Sequence, residues 1–156
     1  MQLDWLGIVF RWLHILSAIT AVGGTIFMRM ALMPSVAVLS DEQHQALREQ
    51  VRSRWVKWVM AAILFLIVSG IYNFFAKLDA IDKIYKGLYH GLFGVKVLLA
   101  LVIFFLASAL TGRSPAFAAI RQNAKLWLSV NMALAIVVVC ISGVLRFIPI
   151  HVATNG

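Results

Sequence analysis

The chain has 156 residues, of which 62% are hydrophobic and only 13% charged, and its mean hydropathy is +0.92. Soluble domains run about 45–50% apolar, so a chain of this length reads as one integral membrane domain. The net charge of +8 falls between the apolar runs. There it serves as juxtamembrane anchoring toward anionic lipid rather than as a nucleic-acid surface.

Cys140 stands alone inside an apolar run. That excludes an intrachain disulfide, a zinc ribbon and covalent c-type haem attachment. The N-terminus lacks a basic leader region, and its apolar run is too long for a cleavable signal, so it is expected to be kept as a helix.

Four apolar runs reach spanning length, at about 6–33, 56–76, 88–111 and 126–148. The fold class they predict is an all-α four-transmembrane-helix bundle. The first run, WLGIVFRWLHILSAITAVGGTIFMRMALMP, makes a helix of about 42 Å, longer than a hydrocarbon core of about 30 Å. It must tilt or project, and Pro34 is expected to stop it. Ser40 and Gln43 then match a capping box. An amphipathic helix over about 41–54, carrying Leu47, Val51 and Trp55 at helical spacing, runs into the second span. That span ends in SGIYNFF, and a short loop, KLDAIDKIYKG, leads to the third. The third span contains Lys96 and stops at Gly112-Arg113-Ser114-Pro115. The fourth enters at Lys125-Leu126-Trp127 and ends in SGVLRFIP.

Trp5 at one membrane face and Trp55, Trp58 and Trp127 at the other fit an aromatic belt. The first and third loops, with their flanks, hold Arg48, Arg52, Arg54, Lys57, Arg113, Arg121 and Lys125. The opposite side holds Lys77, Lys83, Lys86, Arg146 and Arg11. The positive-inside rule then puts the loops in the cytoplasm and both termini outside. A bacterial-type cytoplasmic membrane is the expected location.

The ends of spans two and four align, Ser69-Gly70-Ile71-Tyr72-Asn73-Phe74 over Ser142-Gly143-Val144-Leu145-Arg146-Phe147. An offset of 82 lays His14 on Lys96. Two hairpins of the same direction, a 2+2 pseudo-repeat with its axis along the membrane normal, are expected. His14 and Lys96 then sit at matching depth, roughly 12 Å along parallel helices, with Asn73 and Arg146 toward the same rim. Bundle cores are where such groups hold cofactors and metals.

His14 is the residue that most needs a reason. Charged groups near the bilayer centre cost roughly 2.5–3.5 kcal/mol on insertion scales, a neutral imidazole less. It is read as an axial ligand to haem iron or as a copper ligand, against the plainer role of a hydrogen-bonded buried histidine. Ser17, Ala18 and Ala21 share its face and leave room for a flat macrocycle, or for close helix packing. Lys96 is either a second ligand, through its neutral amine, or a snorkelling side chain. His90 is the alternative second ligand. Arg146 and Arg11 can pair with haem propionates, which guanidinium binds in bidentate fashion, or anchor the membrane face, the reading that suits Arg11 better. Asn73 can bond a ligand or cap its own helix. Met28, Met30 and Met33 offer thioethers to Cu(I), or simply fill the helix. Every acid lies outside the spans, which speaks against a carboxylate-based proton or cation pathway.

The stretch LHILSAITAVGGTIFMRMALMP resembles the first helix of copper-resistance protein D-type domains, with a histidine, a Gly-Gly and a proline at the end. YHGLFGVKVLLALVIFFLASALTGR resembles a later helix of the same family. The histidine-plus-lysine pair is also similar to the HemJ type of protoporphyrinogen oxidase. There the histidine is associated with haem b and the lysine is needed for function, and His14 and Lys96 are the matching positions. The aromatic, proline and histidine pattern that follows Gly-Gly in the HemJ type is absent after Gly23-Gly24.

The function expected is therefore membrane b-type haem binding, in electron transfer or a membrane-linked oxidation. Copper handling and a structural subunit role are the alternatives. A quinone or another redox partner is expected from location alone. A unit this small is expected to work as a homo-oligomer or within a larger membrane complex.

Overall fold

The computed structural model describes residues 4–78, 81 and 83–149. Four of its helices are long and apolar enough to cross a membrane, which makes the chain a multi-pass membrane protein of all-α bundle type. They are α1 (Trp5–Phe27), α2 (Asp41–Leu78), α3 (Lys86–Thr111) and α4 (Ala124–Phe147). The termini, together with Asp79, Ala80 and Asp82 of the second loop, lie outside the described residues.

Asp4 caps α1, its Oδ1 accepting the Gly7 N–H at 2.9 Å. Pro34 does not stop this helix at once. The chain first widens into a π-helical turn, Met28–Leu32, in which the Met33 N–H reaches back to the Met28 carbonyl. It then closes through Met33–Ser35 and a 3-10 turn, Val36–Val38. Proline supplies no N–H to the carbonyl four residues back and its ring clashes there. Widening the preceding turn relieves that crowding, and π-turns of this kind recur at functional sites.

The capping box forms as the sequence implies. The Gln43 N–H donates to Ser40 Oγ and the Ser40 N–H to Gln43 Oε1. From that cap α2 runs unbroken for 38 residues, so the amphipathic segment and the second span are one helix. Gly112 ends α3 in extended conformation, donating its N–H to the Ser108 carbonyl at 2.8 Å.

α1 packs most closely on α2, and α3 on α4. Lighter seams join α2 to α3 and α1 to α4. The bundle is thus two hairpins closed into a ring, with α1 and α3 on one diagonal. Gly24 sets the α1–α2 crossing. The Trp55 indole occupies the space that a Cβ at this position would need. Trp55 is therefore a packing residue at the hairpin seam rather than a member of the aromatic belt. Trp5 and Trp58 remain exposed at 67% and 65%, as belt residues facing lipid headgroups are.

The end bearing loops one and three is held by arginines. Glu49 pairs with Arg52 and with Arg113, tying α2 to the end of α3. Arg52 also reaches the Gly112 carbonyl, Arg48 the Arg121 carbonyl, and Arg121 the Ala109 and Ser114 carbonyls. These guanidiniums satisfy carbonyls that helix ends leave open.

Candidate functional site in the terminal half of the bundle

The site begins at one hydrogen bond between α1 and α2. Ser69 is fully buried. Its hydroxyl donates to the Phe65 carbonyl one turn back. Its oxygen is left to accept, and His14 Nδ1 lies 2.9 Å away. The imidazole is therefore the Nδ1–H tautomer. The ring also has the Leu66 backbone carbonyl as a hydrogen-bond partner. In this tautomer its other nitrogen, Nε2, keeps an available lone pair. Gly70 borders the same ring, and a Cβ there would make only ordinary contact, 3.6 Å from Cε1.

Lys96 of α3 stands on the facing diagonal, half-buried and near enough for its charge to act on His14. Lys96 is in turn within electrostatic reach of Lys77, and Lys77 of Arg146 and Arg11. The chain of positive groups climbs from the bundle interior to the terminal rim. Among the described residues both ion pairs belong to Glu49, at the opposite end. No carboxylate in the described residues thus balances these cations. Asp4, on the same side, is exposed and spends an oxygen on its own helix cap.

The sequence-predicted residues fall into two groups. His14, Lys96 and Arg146 are linked, as just described. Ser17 is buried one turn inward from His14 on the same face of α1. Asn73 is half-buried on α2, one turn beyond Ser69. His90 stands apart from them. It is exposed at the α2–α3 seam, edge-on to Phe74 and Tyr89 at centroid distances of 6.2 and 5.9 Å. Phe74 also stacks on Phe93 at 4.2 Å, and Phe10 on Tyr72 at 4.1 Å, so aromatic pairs close both seams beside the site.

Met28, Met30 and Met33 lie at the π-turn, and Met30 is 63% exposed. From His14 to Met28 is about 21 Å along the helix, so His14 and these thioethers do not share one copper ion. No cluster of three or more His, Cys, Asp or Glu side chains poised for a metal ion occurs among the described residues. A haem iron, which takes one or two axial ligands from the protein, makes no such demand.

Three residues escaped the sequence reading. Ser69 was visible only as part of a repeat, although its repeat mate Ser142 makes the same bond, to the Val138 carbonyl at 2.7 Å. Lys77 counted only toward topology. Asn131 is 2% exposed in α4, and its Oδ1 has no hydrogen-bond partner among the described residues; nothing in its local sequence, SVNMALA, marks it.

No protein-family model, no curated protein and no solved structure matches the chain.

Proposed function

We propose that the protein binds one b-type haem between its four helices, in a bacterial-type cytoplasmic membrane with both termini outside. Its task is electron transfer or a membrane-linked oxidation of the CopD-like or HemJ-like kind. The quinone pool is the partner its location favours.

The observation that carries this reading is the orientation of His14. A metal-ligating imidazole nearly always donates its second ring N–H to a fixed acceptor, which sets the tautomer and aims the free nitrogen. Ser69 supplies that acceptor, held by its own bond to Phe65. The cations with no carboxylate partner among the described residues supply the second support. Haem b carries two propionates, and Arg146, Lys77 and Arg11 are the groups to receive them at the rim. Lys96 would stand beside the haem, as a further ligand through its neutral amine or as a nearby positive charge.

When bound, the haem supplies a one-electron change at iron. The chain's part is to orient the ligand, neutralise the propionates and keep the interior dry. Ser69 and His14 perform the first, the rim cations the second, and the aromatic seams the third.

A pyridine haemochrome assay on the purified protein tests the reading. About one haem b per chain or per small oligomer is expected. Protein purified from haem-replete cells with no haem, and with no uptake of added hemin, would overturn it. Bound copper in its place would return the copper-handling alternative, and neither would leave a structural subunit.

A further inference from the structure

A second cationic site lies at the loop end of the bundle, about 22 Å along α1 from His14. Arg29 sits in the π-turn Met28–Leu32. Its Nε donates to Ser129 Oγ of α4 at 2.7 Å, and the Ser129 hydroxyl donates to the Lys125 carbonyl at 2.9 Å. The guanidinium is thus fixed in orientation by one nitrogen. Its two terminal nitrogens have no acceptor among the described residues. The other guanidiniums that bond at this end serve differently. Arg48, Arg52, Arg113 and Arg121 spend their terminal nitrogens on carbonyls or on Glu49.

Arg29 opens onto a groove of about 420 Å³, lined also by Gln122, Asn123, Lys125, Leu126 and Ser129. The lining holds two cations, two amides and a hydroxyl, with no carboxylate. No side chain caps the first turn of α4, so the positive end of that helix dipole adds to the same potential. The groove is open and polar, which suits a charged headgroup rather than an enclosed small molecule. A pre-oriented guanidinium fork beside an ammonium group matches the geometry of a phosphate.

We propose that this groove binds a phosphate group, with Arg29 as the bidentate contact and Lys125 as the second charge. Basic pockets between transmembrane helices on the cytoplasmic side hold anionic lipid headgroups, the side that the positive-inside rule favours for this end, and Leu126 gives the lining one apolar side. The phosphate of phosphatidylglycerol and free inorganic phosphate present the same chemistry, and the test separates them.

The protein is purified in detergent and exposed to mixed micelles of phosphatidylglycerol or of phosphatidylcholine. Retained lipid is counted by native mass spectrometry, and inorganic phosphate is titrated separately by calorimetry. The variants are Arg29→Gln, Arg29→Lys and Lys125→Gln, with Lys57→Gln as an exposed control outside the groove. Preferential retention of phosphatidylglycerol, weakened about tenfold in Arg29→Gln and Lys125→Gln but not in Lys57→Gln, supports the site with lipid as its source. Arg29→Lys keeps the charge and loses the fork, and falls between. Phosphate binding with the same variant pattern and no lipid preference supports the site with a free anion as its source. Neither ligand distinguishing Lys125→Gln from wild type would overturn it, because the exposed Lys125 side chain supports no packing whose loss would confuse the result.

Discussion

His14 and Ser69 meet across the α1–α2 seam at 2.9 Å, the histidine donating and the serine accepting. The direction of that bond follows from a third group, the Phe65 carbonyl, which takes the one hydrogen of the serine hydroxyl. A polar pair with both donors used is the form in which a membrane interior tolerates polar groups. What remains unused is the lone pair of the second ring nitrogen, the atom through which the imidazole would hold a metal.

Ser69→Ala removes the side-chain acceptor of His14 Nδ1–H and leaves only the Leu66 carbonyl to orient the ring. The substitution is small, and the fold should survive. Haem affinity should fall about 10- to 100-fold, the range for losing a group that orients a metal ligand. Hemin titration of the apoprotein, with circular dichroism as the fold control, measures this. Unchanged affinity would mean that the serine only packs helices.

Lys96→Met removes a positive charge beside the imidazole while keeping the volume. Haem should stay bound through His14. The midpoint potential should fall, since a nearby cation favours the reduced, less positive iron. Potentiometric titration reads the shift. Loss of the low-spin spectrum as well would identify the amine as the opposite ligand. Identical potentials in the two proteins would remove Lys96 from the site.

Gly24→Leu drives a side chain into the volume of the Trp55 indole. Overpacking of this sort costs about 1–3 kcal/mol. Gly143→Ala, at a position with open space around it, serves as the matched control. Thermal unfolding in detergent should separate them by several degrees, with the control at the wild-type value.

Glu49 lies ahead of the apolar part of α2, and hydrogen bonds from Arg52 and Arg113 hold its carboxyl below the usual carboxylate range. A folded pKa below the unfolded value adds stability that is present above about 4.5. That stability is lost as the pH falls through the lower, folded value. The pairs are solvent-exposed, so the effect is small and salt-sensitive. Glu49→Gln should reduce the stability difference between pH 6 and pH 3, most clearly at low ionic strength. An equal difference in both proteins would show the pairs to be energetically idle.

Much of this was legible in the chain. Spans show as long apolar runs because lipid demands internally satisfied backbones, and the Ser40–Gln43 cap shows as a local pattern. Counting residues along parallel helices sets His14 and Lys96 at matching depth, and in the fold the charge of Lys96 reaches the imidazole. Other features depend on which faces meet, and apolar helices leave little periodic signal to read. By position alone Trp55 reads as a belt residue, and only the fold brings it against Gly24. Ser69 reads as a repeat marker, and only the fold sets His14 against it. The π-turn at Met28–Leu32 had a cause in the sequence, Pro34, but the widening is one of several ways to relieve a proline.

The most direct measurement is the absorption spectrum of the purified protein beside that of His14→Ala, both prepared from haem-replete cells. A Soret band in the wild type that vanishes in the variant, with helix content unchanged, is the predicted result. A Soret band that persists undiminished in His14→Ala, or one absent from the wild type even after added hemin, would contradict it.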